Sequence, residues 1–462
     1  METHRSLLTQ PVGRLMTRYA VPCVISLLVG ALYNIVDQIF IGRGVGYLGN
    51  GATSVVFPLT VLALALAVMV GDGACSYISI RLGHGDAESA ARTVGSAVLL
   101  SLALAAALTA LYFLFMRPLL LLFGGTAANM GYACAYFRWI AAGVPLYMLG
   151  NTLNPIIRAD GSPRFAMAAT LAGAILNVIL DPIAIFGLHW GMMGAAAATV
   201  AGQALTAVLS VAYLFRMRSM KLTRASFRPS RALTRAYVPL GFCSFLSQLS
   251  VVLCMAATNR MLVKYGAQSA YGADIPLTVL GIVMKVFQIV ISVTVGMAAG
   301  CIPIVGYNYG AGRNDRARGV LRRLIAAEAL LGLIGLAGAE LFPRQLIAVF
   351  GSGGALYEAF AVRTFRIYLC MLVLACVNKA AFIFLQSLGR PWLSTLLSLF
   401  REVALGVTLA ILLPVFFGLD GILWSMPVSD VLAFAVSGWV LRRTDRQLDS
   451  NSENRFRIGE TA

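Results

Sequence analysis

The sequence predicts an all-α polytopic membrane protein, with twelve transmembrane helices in two six-helix bundles related by a pseudo-two-fold axis along the membrane normal. Three observations predict it: the composition, the recurrence of apolar runs of spanning length, and a weak repeat between the two halves of the chain. Of 462 residues, 59% are apolar and 12% charged, against about 25% charged in soluble domains. The mean hydropathy is +0.82. A water-soluble globule cannot hide so much apolar surface, so the solvent must be a bilayer.

A spanning helix needs about 20 apolar residues. Twelve runs qualify, at roughly 15–40, 54–81, 93–116, 133–156, 165–187, 191–215, 237–261, 275–305, 320–341, 364–386, 392–416 and 420–441. The short polar N-terminus carries Arg5, Arg14 and Arg18 and has no small-residue cleavage site after its apolar run, so the first span is expected to stay. An even number of spans puts both termini on one side.

The formal charge is +17, from 36 basic and 19 acidic residues. With cytoplasmic termini, 25 of the basic residues fall in inner tails, loops and helix ends, seven in outer segments and four within spans. That asymmetry orients the chain in the cell membrane with both termini cytoplasmic. It also accounts for the basic excess without nucleic acid. The longest basic stretch, 216–236, lies at the midpoint. It divides an N-terminal lobe (1–215) from a C-terminal lobe (237–441), which a cytoplasmic tail (442–462) follows. Its attraction to anionic headgroups makes membrane lipids a partner.

The halves resemble each other. Gly71 corresponds to Gly296, Gly83-His-Gly85 to Gly310-Ala-Gly312, Phe123-Gly124 to Phe350-Gly351, Phe137-Arg138 to Phe365-Arg366, Gly161 to Gly389 and Gly191 to Gly421. A second likeness, Pro58–Leu62 with Pro276–Leu280, falls out of this register. Six spans per half make the repeats parallel. Two parallel bundles are a transporter architecture, with the substrate between them and access alternating by rocking.

Other classes find little support. Eight cysteines are scattered through apolar segments without a C-x-x-C pair, and the three histidines form no H-E-x-x-H. None of the four lysines follows a glycine, so there is no G-x-x-x-x-G-K-[ST] phosphate cradle. Nothing supplies a nucleophile–base pair. The expectation is a secondary transporter rather than an enzyme, with no cofactor and with a proton or sodium ion as the coupling ion. It is expected to work as a monomer.

Ionisable residues inside a bilayer are functional suspects. Asp37 falls near the outer end of the first span. Asn177 and Asp181 share a face of the fifth, and Thr199 falls at matching depth in the sixth. Two carboxylates, an amide and a hydroxyl suit a proton or a hard cation such as sodium, the only metal the sequence suggests. Asp72 lies nearer the cytoplasmic side. The C-terminal half is mixed in sign. Lys379 is expected to pair with Glu402 beside Arg401 at an inner depth, and Lys285 with Asp430, both some way in from the outside; substrate contact is the alternative use of these charges. Tyr33, Phe57, Tyr147, Met148, Met284, Phe287, Met371 and Phe382 are candidates to line a substrate cavity, although for any one of them lipid or helix packing is the commoner use.

Tyr33-Asn-Ile-Val-Asp37-Gln-Ile-Phe-Ile-Gly42 resembles the first-span signature of the multidrug and toxic compound extrusion (MATE) family. Gly83-His-Gly85-Asp86 and Gly306-Tyr-Asn-Tyr-Gly310-Ala-Gly312 are similar to its paired loops. Pro303–Gly310 and Leu385–Pro391 look most like the MepA-type branch of bacterial exporters. The resemblance covers residues 15–441. It implies cation-coupled antiport of bulky, often cationic drugs or toxic compounds across the cell membrane. It also implies that Asp37, Asn177, Asp181 and Thr199 correspond to the N-lobe cation site of family members. Other branches carry acidic coupling residues in the seventh and tenth spans, where this chain has Gln248 and Lys379. The alternative is a lipid-linked sugar or polysaccharide flippase of a related branch, which would place more cationic residues on its cavity.

Overall fold

The computed structural model describes residues 7–126, 129–272, 274–348 and 354–459, and no strand occurs among them. Ten helices in these segments are long and apolar enough to cross a membrane: Val12–Gly44, Leu48–Gly83, Ala87–Leu114, Met130–Ala159, Pro163–Gly187, Gly191–Leu214, Arg231–Gly266, Ile275–Gly310, Asn314–Leu341 and Pro391–Asp449. Two details bring the crossings to twelve. Ala355–Tyr368 and Leu372–Ser387 meet at 44° and form one bent span, the tenth. The longest helical run reverses at Gly418 (φ 57°, ψ −136°). A β-carbon on Gly421 would stand 2.4 Å from the carbonyl oxygen of Leu413. Residues eight apart in a straight helix are about 12 Å apart, so the chain doubles back there. The eleventh and twelfth spans are therefore an antiparallel hairpin.

Span ends extend beyond the apolar runs. The seventh span starts at Arg231 rather than near residue 237, and the helix expected to stop near 441 continues to Gly459. Hydropathy marks the bilayer-facing stretch, whereas helices continue through polar turns that other groups hold. Here Arg318 of the ninth span grips the extension through Asp445 (2.6 Å) and Asp449. The basic linker is likewise docked. The Asp160 carboxylate accepts from the backbone N–H groups of Arg218 and Ser219, both at 2.9 Å, and from the Tyr213 hydroxyl at 2.7 Å.

The internal repeat is visible as backbone geometry. After the second span, Gly85 N–H bonds to Leu82 C=O and Asp86 N–H to Arg81 C=O. After the eighth, Gly312 bonds to Tyr309 and Arg313 to Asn308. Both are helix-ending motifs that need a left-handed residue, and φ is 81° at Gly85 and 73° at Gly312. Gly161 and Gly389 repeat the same pattern after the fourth and tenth spans. Short helices Met116–Leu122 and Pro343–Ala348 occupy matching places after the third and ninth. Phe350-Gly351 lies outside the described residues. Pro58 sits well inside its helix whereas Pro276 begins one, so that out-of-register likeness is not part of the repeat.

The lobes join at one end and part at the other. A β-carbon on Gly241 would stand 1.7 Å from the Met69 carbonyl oxygen, one on Gly73 2.4 Å from that of Tyr237, and one on Gly310 2.2 Å from that of Ile80. Gly296 and Gly300 press equally on Val24 and Ala20. Only glycine permits backbones so close. Further along the same helices, the β-carbon positions of Gly30 and Gly281 have nothing within 4 Å. The apolar core follows this plan. One buried cluster, around Tyr19, Ile78, Ile302 and Leu385, draws on both lobes. Beyond it the core divides into an N-lobe cluster around Phe137 and a C-lobe cluster around Phe365. The closed end is the one that carries the linker. It is latched by Asp72, which lies 3.7 Å from Arg158 of its own lobe and accepts from the Ser244 hydroxyl of the other at 2.9 Å. Arg158, in the last turn of the fourth span, is buried.

Candidate cation-coupling site

The fifth and sixth spans meet through glycines. A β-carbon on Gly202 would lie 2.5 Å from the Gly173 carbonyl oxygen. Asn177 is one turn beyond Gly173, and Thr199 is one turn before Gly202, so this contact sets the two side chains opposite each other. Asn177 Nδ2 donates to Thr199 Oγ1 and to Asp181 Oδ1, each at 3.3 Å. Pro182 then follows, and the helix widens into a π turn at Ile183–Gly187. Such turns are frequent at functional sites. The first span packs along the fifth and brings the Asp37 carboxyl beside that of Asp181.

All four residues are buried: Asp37 is 7% exposed, Asn177 2%, Asp181 0% and Thr199 9%. Neither acid forms an ion pair with a lysine or arginine among the described residues. Asp37 Oδ1, Asp181 Oδ2 and Asn177 Oδ1 are buried acceptors without a hydrogen-bond partner. Two adjoining carboxylates cannot both stay ionised out of water without a counter-charge. The donor set therefore fits a proton or one hard cation held by oxygens. No group of three His, Cys, Asp or Glu side chains that could hold a metal occurs among the described residues.

The sequence reading missed Tyr136 of the fourth span, whose hydroxyl lies beside Thr199 while its ring is buried in the N-lobe core. No spacing rule marks it. The glycine pair was legible as small residues but not as a pair. Tyr33 is half-buried beside the two acids.

The cavity candidates divide. Met148 and Phe382 are 0% and 1% exposed within cores, so neither lines an open space in this conformation. Tyr147, Met284 and Phe287 are half-buried against the cores of their lobes, and Met371 is half-buried at the bend of the tenth span. Phe57 is exposed.

The C-lobe charges form one chain. Lys379 Nζ contacts Glu402 Oε1 and donates to Ser247 at 3.0 Å. Ser250 donates to Glu402 Oε2 at 2.7 Å, Arg401 Nη1 is 3.7 Å from Glu402, and Arg401 Nη2 is 2.9 Å from Asp430. Asp430 thus pairs with Arg401 of the eleventh span rather than with Lys285, the partner that the counted depths suggest. Arg401 lies in a π-helical stretch, Leu399–Leu405, and its long side chain carries the guanidinium away from its own backbone to Asp430.

Comparison with known proteins agrees with this architecture. One family model, MatE, matches the chain twice, over residues 22–183 and 244–412. An FAD transporter from Shewanella oneidensis is 28% identical over 451 residues, 94% of this chain and 95% of its own. The multidrug export protein MepA of Staphylococcus saprophyticus is 24% identical over 427 residues, 90% of each chain. A multidrug resistance MATE family transporter solved in an outward-facing conformation superposes with a TM-score of 0.88 at 26% identity, over 96% of this chain and 98% of that one. The duplicated helical lobes, joined at one end and matched twice by the same family model, make this chain a member of the MATE family of secondary transporters.

Proposed function

We propose that the chain is a cation-coupled antiporter that exports bulky, often cationic drugs or toxic compounds, with Asp37, Asn177, Asp181 and Thr199 as the coupling site. The observation that carries this reading is the set of three orphaned acceptor oxygens at two adjoining buried acids. A coupling ion can drive a carrier only if it binds the two facing states unequally. The four side chains are buried in the present conformation, so a conformation that exposes them to water would have a different affinity for a proton or sodium. The MepA relatives support the substrate class, and the count of basic residues supports cytoplasmic termini. Everted vesicles loaded by an imposed proton gradient, and in parallel by a sodium gradient, should take up ethidium. Uptake indifferent to both gradients would refute the proposal.

A second reading is export of an anionic flavin nucleotide. The FAD transporter relative favours it, as does Lys285, an exposed cation on the eighth span four residues beyond Gly281, where the lobes part. FAD competing with ethidium for uptake, with the competition lost in Lys285→Gln, would select this reading.

A further inference from the structure

The ninth span carries an acid that neither the sequence reading nor the coupling site uses. Glu328 lies near the middle of Asn314–Leu341 and is 0% exposed. At 1.5 Å per residue it is about 20 Å from either helix end. Both of its carboxyl oxygens lack a hydrogen-bond partner.

Three helices enclose it in one consistent register. A β-carbon on Gly332, one turn beyond Glu328, would stand 2.5 Å from the Val373 Cα. One on Gly335 would stand 2.7 Å from the Leu372 side chain and 3.5 Å from that of Val290. Continuing this antiparallel packing by a turn or two sets Cys376 of the tenth span and Thr294 of the eighth opposite Glu328, and both lie beside it. The Thr294 hydroxyl is itself 0% exposed and without a partner. An acid and a hydroxyl therefore face each other among apolar side chains without a closed bond.

Among the described residues, no cation offsets the acid. The other titratable groups facing it are the thiols of Cys301 and Cys376, with Cys23 of the first span beyond Cys301. Lys379, one turn past Cys376, is held by Glu402 and Ser247, and Arg401 is held by Asp430. On the ninth span itself, Arg318 pairs with Asp445 toward one end and Glu340 with Arg366 toward the other. Lys285 precedes Thr294 by nine residues, about 13 Å along the helix. An ionised carboxylate here would have no counter-charge and no donor except one hydroxyl, whereas the neutral acid has a proton to give to Thr294 and no charge to bury.

We propose that Glu328 and Thr294 form a proton-binding site in the C-terminal lobe, separate from the Asp37–Asp181 pair. The site is mechanically placed. The face of the ninth span that carries Glu328, Gly332 and Gly335 packs on the start of Leu372–Ser387, immediately after the 44° bend of the tenth span. Loss of the proton demands water or a cation beside Glu328, which this packing excludes, so deprotonation would favour a conformation in which the ninth and tenth spans separate.

The test uses the full chain in detergent as wild type, Glu328→Gln and Glu328→Asp, each also in an Asp37→Asn/Asp181→Asn background. Glutamine keeps the shape of the neutral acid and cannot ionise. Unfolding temperatures are measured from mildly acidic to alkaline buffer. The wild type should lose a few degrees more than Glu328→Gln as the buffer turns alkaline, and by a similar margin in both backgrounds. Persistence in the second background separates this site from any failure of the N-lobe site. Curves that run parallel for wild type and Glu328→Gln would overturn the proposal. Should Glu328→Gln not fold, infrared difference spectra decide: the wild type should show a protonated carboxyl stretch at neutral pH that Glu328→Asp displaces, and spectra that do not differ there would overturn it.

Discussion

The two lobes descend from one repeated plan, yet their buried charges are arranged in opposite ways. In the N-terminal lobe Asp37 and Asp181 adjoin, no lysine or arginine among the described residues pairs with them, and three acceptor oxygens are left unpaired. In the C-terminal lobe Lys379, Glu402, Arg401 and Asp430 alternate in sign, each within 4 Å of the next, and serines close the remaining positions. A π-helical turn accompanies both, beside Asp181 in one lobe and around Glu402 in the other. The difference separates two uses of buried charge. A neutral, mutually satisfied chain holds helices in register and binds nothing further. Two acids short of a positive charge must take one up and can give it back.

The largest expected effect breaks the acidic pair. Asp37→Asn or Asp181→Asn should reduce gradient-driven ethidium transport to the level without a gradient, while membrane expression stays near that of the wild type. Next comes the paired chain. Glu402→Gln alone leaves Lys379 and Arg401 short of an anion and should destabilise the protein by about 3–5 kcal/mol. Adding Lys379→Met should recover most of that loss, as read from unfolding in detergent. A smaller effect concerns the interface between the lobes. Gly241→Ala places a methyl group on the Met69 carbonyl oxygen, so spin-label distances across the closed end should lengthen and the population should move away from this conformation. The smallest is at the Asp86 cap outside the membrane. Hydrogen bonds from Ser89 hold the Asp86 carboxyl below its ordinary value. Its contribution is present above the ordinary carboxylate range and fades as the pH falls through the lowered value. Asp86→Ala should cost about 1 kcal/mol at neutral pH, and less in acid.

Much of this was legible in residue order because the bilayer imposes strong rules. Apolar run length gave twelve spans, and the glycines at 85, 161, 312 and 389 marked the repeat because each ends a helix in a left-handed turn. Asn177 and Asp181 were placed on one face by helical spacing alone, and opposite signs paired Lys379 with Glu402. What stayed hidden depends on packing between helices. Depth counting places backbones, so it could not see that the long Arg401 side chain reaches Asp430. Tyr136 reaches Thr199 from the fourth span, where the nearby charge, Arg138, is exposed and no spacing marks the tyrosine. Glu328 was passed over because one acid in an apolar run has no partner in sequence, and only the enclosing helices show that it has none in space either. Helix length past the bilayer was also hidden, since Arg318 extends the last helix through contacts with Asp445 and Asp449 across more than a hundred residues of chain.

The central claim is that the unpaired acids of the N-terminal lobe, not the paired chain of the C-terminal lobe, answer the coupling ion. It is tested most directly by the pH dependence of gradient-driven ethidium transport in proteoliposomes, comparing the wild type with Asp37→Asn and with the double variant Lys379→Met/Glu402→Gln. The account predicts that the double variant keeps its gradient dependence with an unmoved pH midpoint, whereas Asp37→Asn loses its gradient dependence. A double variant whose midpoint moves by about one unit, a change of about 1.4 kcal/mol in proton affinity, alongside an Asp37→Asn protein that still follows the gradient, would contradict it.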